Sequence, residues 1–95
     1  MPYNQQIYAG RIQEALGPVD ARDLAWLCNQ AAKLYKRVEP QGCVDNFRVS
    51  KLNILGMPSD AYTRIRERGC CGSSDEKVKN PVTGNRFIIG FNYGH

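Results

Sequence analysis

The sequence predicts an α+β fold: an N-terminal antiparallel helix pair with further short helices, followed by a C-terminal β-hairpin. Three observations point there. Apolar residues recur at helical spacing through the first forty positions, whereas the segment "RFIIGFNYG" alternates with a period of two. Between these regions, Gly17-Pro18, Pro40 to Gly42 and Gly56 to Pro58 break the pattern where elements should end. No repeat or linker divides the chain, so residues 1–95 form one domain.

The first helix is expected over residues 4–16, where Tyr8, Ile12, Ala15 and Leu16 share a face and Gly17-Pro18 supplies the stop. Asp20 then reads as the N-cap of a second helix, with Asp23 in its first turn favourably placed against the helix dipole. Leu24, Leu27, Cys28, Ala31, Tyr35 and Val38 make one apolar stripe of about four turns. "EPQGCVDN" ends that helix.

Residues 47–55, "FRVSKLNIL", fit neither period cleanly and are open between a short helix and a strand. Ser59 can cap a further helix through Arg68 that buries Ala61, Tyr62 and Ile65, with Gly69 at the left-handed C-terminal position. In the last segment Phe87, Ile89, Phe91 and Tyr93 alternate along one strand, which pairs with "EKVKN" across the longer "NPVTGN" turn.

Composition narrows the function classes. The chain is 42% hydrophobic and 23% charged, ordinary values for a globular protein, and a domain this small buries only about 60% of its unfolded surface. No apolar run reaches the roughly 18 residues of a membrane span, and the first residues lack the pattern of a secretory leader. A soluble, cytoplasmic protein with no membrane partner is therefore expected, and its four cysteines should be reduced thiols. Thirteen basic against nine acidic residues give a net charge of +4, which suits polyanionic partners, but the cations are spread along the chain.

The adjacent Cys70 and Cys71 raise the question of chemistry. Neighbouring α-carbons lie about 3.8 Å apart, closer than a disulfide prefers. Zinc would draw on Cys43, Cys70, Cys71 and His95, whose types fit tetrahedral coordination but whose spacing does not match the usual knuckle. A reactive thiolate is disfavoured too, because the expected helix ends just before Cys70 and presents its negative pole there. No carboxylate pair marks acid and base roles, and "GCCGSSD" follows a helix rather than opening one as a phosphate loop does. We expect no enzyme activity, no bound metal and no cofactor.

The remaining signals concern interaction. On the second helix Arg22, Trp26, Lys33 and Arg37 fall on a stripe opposite the apolar one. There Trp26 is either buried by the C-terminal hairpin or exposed among cations as a binding surface. Residues 51–69, "KLNILGMPSDAYTRIRERG", combine a short element, a glycine turn and an arginine-bearing helix, the outline of a helix-turn-helix. With the hairpin as a wing, the fold would be winged-helix-like; Lys51 and Leu52 depart from the usual pattern. Phe87, Phe91 and Tyr93 could form a stacking platform, but alternating aromatics beside Ile89 are more often a core face.

The sequence narrowly favours a basic nucleic-acid-binding module that uses Arg64, Arg66 and Arg68 with Arg22, Trp26, Lys33 and Arg37. Two alternatives stand beside it. One is a structural or regulatory subunit docking onto a larger protein assembly, phage or viral in character, through Trp26 and the aromatic C-terminus. The other is a zinc-stabilised module. Self-association into a homo-oligomer is compatible with each.

Overall fold

In the computed structural model, residues 5–59 and 72–94 are described. Helix α1 spans Gln5–Leu16 and α2 spans Ala21–Val38; strands β1, β2 and β3 are Cys43–Lys51, Gly72–Lys79 and Arg86–Gly94. The strands form one antiparallel sheet in the order β1-β3-β2, so β3 is central. The fold is α+β, as the periodicities imply. It has one strand more than the sequence reading placed, because β1 joins the hairpin.

Both helix boundaries follow from local chemistry. Gly17 adopts φ +71, a conformation that favours glycine, and donates its N–H to the Gln13 carbonyl as α1 stops. Asp20 caps α2 by accepting from the Arg22 N–H at 2.8 Å. After α2, Pro40 sits in a single 3-10 turn, Glu39–Gln41, and Gly42 at φ 145 redirects the chain into β1.

The helices cover one face of the sheet. Tyr8 and Ile12 of α1 and Leu27, Cys28, Ala31, Leu34 and Val38 of α2 pack on Phe47, Val49, Phe87, Ile89 and Phe91. Phe91 lies in the middle: its ring centroid is 5.1 Å from Phe47, 5.7 Å from Tyr35 and 6.3 Å from Tyr8. Such tilted and edge-on contacts add to the area that each ring buries. The stripe expected on α2 is correct at Leu27, Cys28, Ala31 and Val38; it omits Leu34 and Asp23, and Leu24 and Tyr35 are only partly buried.

The ambiguity at residues 47–55 resolves as strand, then turn. Two residues of β1, Asn46 and Phe47, stand opposite Phe91 alone, because the register shifts between Asp45 and Arg48. Asn46 takes φ 54, which asparagine tolerates, and its N–H binds the Asp45 side chain at 2.7 Å. This bulge places Phe47 and Val49 on the helical face and Arg48 and Ser50 on the other. Alternation then lapses: Lys51 is exposed at the margin of the helical face, whereas Leu52 is buried on the opposite one.

The helix-turn-helix reading of residues 51–69 changes accordingly. Its first element is the end of β1 and a turn, because Lys51 pairs with Phe87 in the sheet and Leu52 bridges to Pro58 across the turn. The expected Ser59-to-Arg68 helix, Gly69, Cys70 and Cys71 lie outside the described residues beyond Ser59.

Candidate functional site

α2 carries Arg22, Trp26, Lys33 and Arg37 along one stripe, but they do not converge on one point. Arg22 and Arg37 are roughly 22 Å apart along the axis at 1.5 Å per residue. Arg22 turns back to its own N-cap, donating to Asp20 at 2.8 and 3.1 Å, which holds the Asp20 carboxyl down to about 2. Arg37 is paired with Glu76 of β2. Trp26 is half-buried, its ring tilted at 6.5 Å from Phe87, so β3 covers it as the core alternative required. Lys33 is exposed and makes no ion pair among the described residues. Arg64, Arg66 and Arg68 lie outside the described residues.

The aromatic strand is also core. Phe87 and Phe91 are 1% and 0% exposed, so neither offers a face for a base to stack on. Only Tyr93 is partly open, and its ring lies over Gly72, where an added Cβ would meet it at 2.9 Å.

A polar cluster that the sequence did not reveal sits where α2 meets the β2–β3 loop. Asp23, 2% exposed, accepts from Asn80 Nδ2 at 2.8 Å and Thr83 Oγ1 at 2.6 Å through one oxygen, and from Asn85 Nδ2 at 2.7 Å through the other. Burial alone would push this carboxyl up. The bonds from Thr83, Asn85 and Asn80 outweigh burial and leave it lowered. The loop is itself closed by Asn80 N–H to Asn85 O at 2.9 Å and by Gly84 N–H, at φ +77, to Asn80 O. Beside it lies a cleft bordered by Leu16, Val19, Asp20, Lys51 and Phe87. Asp23 uses its acceptor capacity on the loop, which makes it a structural clamp. The only sequence signal was an "NPVTGN" loop rich in side-chain donors.

The sheet face away from the helices carries charge. Arg48 and Asp75 flank Gly90 in register, and the Arg48 guanidinium donates to Asp75 Oδ1 at 3.2 Å across the central strand. Gly90 offers no side chain to obstruct that crossing. Ser50 and Asn92 are buried on the same face.

At one end of this face the structure gathers residues that no sequence pattern linked. Asn53 accepts the Leu55 and Met57 N–H groups through its side chain at 2.8 and 3.2 Å, and its own N–H binds the Met57 carbonyl. Gly56 at φ +79 closes the turn. The Arg86 guanidinium donates to the Asn53 carbonyl at 3.0 Å, tying the turn to β3. Ile54, Leu55 and Met57, on this hydrogen-bonded turn, are 91%, 80% and 61% exposed. Next to the turn is a groove of about 210 Å³ lined by Leu52, Gly56, Lys77, Val78, Lys79 and Arg86.

Among the described residues, no three His, Cys, Asp or Glu side chains are grouped to hold a metal. Cys28 is buried, and burial pushes its thiol up; Cys43 is exposed at the start of β1, opposite Gly94. Cys70, Cys71 and His95 lie outside the described residues. No helix among the described residues is long and apolar enough to cross a membrane. Comparison with family models, with curated proteins and with solved structures finds no match.

Proposed function

We propose that the protein is a small non-enzymatic interaction module that docks onto a larger protein assembly through the Asn53–Met57 turn. The observation that carries this reading is the display of Ile54, Leu55 and Met57 on a turn whose backbone is hydrogen-bonded in place. Clustered aliphatic side chains on a rigid protrusion bind at low ordering cost, because little conformational freedom remains to be lost. Trp26, half-buried against Phe87, is left out of the proposed contact.

The test is the mass of the protein isolated at its natural abundance, measured by light scattering after size exclusion. Wild type should run above the mass of one chain, and a variant carrying Ile54→Ser and Leu55→Ser should run as one chain. A single-chain mass for wild type overturns the reading.

Nucleic-acid binding is the second reading. It is supported by Lys33 and Lys36 on the outer side of α2, exposed and without ion pairs among the described residues, together with the net charge of +4. Binding to duplex or single-stranded nucleic acid that weakens steeply with added salt would favour it; no binding at low salt would remove it.

A further inference from the structure

We propose that the groove beside the turn receives an acidic segment of a protein partner, one that carries carboxylates next to an aliphatic anchor. This inference rests on the docking reading above and assigns the partner's chemistry. Three cations border the groove: Lys77 and Lys79 alternate on β2, and Lys79 pairs in register with Arg86 of β3. Among the described residues, no carboxylate lines it. The acidic groups nearest in sequence are occupied, Asp75 by Arg48 and Glu76 by Arg37 on the opposite face.

Among the described residues, the Lys77 and Lys79 side chains make no hydrogen bond or ion pair, and the Arg86 guanidinium donates only to the Asn53 carbonyl. Three positive charges therefore stand together with donors to spare beside Leu52 and Val78, and the exposed Ile54, Leu55 and Met57 adjoin them.

The chemistry selects among anionic partners. A carboxylate-bearing chain can place its acids on the lysines and its aliphatic side chain against the turn, satisfying both halves of the surface. Single-stranded nucleic acid would use stacking platforms, and the apolar groups here are aliphatic rather than aromatic. An anionic bilayer presents a flat charge layer, whereas these cations line one side of a groove.

Two groove variants, the Ile54→Ser and Leu55→Ser turn variant and three probes test this. Lys77→Glu with Lys79→Glu changes the groove and leaves the turn intact. Its fold is checked by circular dichroism and thermal melting, with Lys77→Gln and Lys79→Gln as a milder pair. The probes are a labelled peptide of repeating Glu-Glu-Leu-Leu, an oligothymidylate, and phosphatidylserine vesicles.

Wild type should bind the peptide saturably with amide shifts at Leu55, Lys77, Lys79 and Arg86. The charge-reversed variant should bind it at least about tenfold more weakly and should lose the natural assembly. If the assembly dissolves with Ile54→Ser and Leu55→Ser but survives charge reversal, docking stands and the acidic partner is refuted. If neither variant affects the assembly, the docking surface itself is refuted. Tighter binding of oligothymidylate or vesicles than of peptide through the same lysines also overturns the inference.

Discussion

Asp23, in the first turn of α2, and Asn80, at the head of the β2–β3 loop, are joined by a buried 2.8 Å hydrogen bond across 57 residues of sequence. Together with Thr83 and Asn85 this bond fastens the hairpin to the helical layer. Asp23→Ala would strand three donors that now share one carboxylate, two of them on Asn80 and Thr83. A loss of about 2–4 kcal/mol is expected, because removing one side of a buried charged network exposes the full desolvation cost of the rest. Urea unfolding should show a lower midpoint with an unchanged slope.

The same carboxylate makes stability depend on acid. Its folded-state pKa lies below the unfolded value, so the stabilisation is complete above about pH 4 to 5 and is lost as pH falls through the lowered folded pKa. Asp20, held to about 2 by Arg22, acts in the same direction from the surface. In Asp23→Asn the decline of stability below pH 5 should therefore be shallower than in wild type. Denaturant titrations at a series of pH values measure the slope directly; equal slopes would exclude Asp23 as a contributor.

Trp26 serves packing in this fold. Replacing it with alanine should cost about 2 kcal/mol, less than the 3–5 typical of a fully buried aromatic because the ring is only half covered by Phe87. Salt-dependent binding to nucleic acid should be unaltered by the change. A Trp26→Ala protein of wild-type stability would contradict the contact with β3.

The turn should behave oppositely. Ile54→Ser and Leu55→Ser remove side chains that are 91% and 80% exposed, so each should shift stability by no more than about 0.5 kcal/mol. Thermal melts of the single variants, read beside their assembly mass, separate a binding role from a folding one.

Gly90 lets Arg48 cross the central strand to Asp75. Gly90→Val places a branched side chain in that path, and roughly 2–4 kcal/mol of destabilisation is expected from disturbing a pair whose side chains are 8% and 16% exposed. Changing Asp75 to asparagine in that background should then cost less than it does in wild type, a coupling that a double-mutant cycle would read.

The sequence by itself determined the elements whose signals are local. The Asp20 cap, the Gly17 stop, the helical period of Leu27, Ala31 and Val38 and the two-residue period of Phe87, Ile89 and Phe91 each depend on neighbours within a few positions, and each appears where the pattern put it. β1 was not legible in this way, because the bulge at Asn46 and the reversal at Lys51 and Leu52 break alternation, and only pairing with β3 makes that segment a strand. Asp23 looked like a partner for the helix dipole until Asn80, Thr83 and Asn85 arrived beside it. Lys77 and Lys79 lie across the hairpin loop from Arg86, and the Asn53–Met57 turn lies farther off in sequence. Strand register and the Arg86–Asn53 bond are what bring them to one end of the sheet. Hydrogen bonding between distant strands decides which side chains share a surface, and that information is not carried by any short window of the chain.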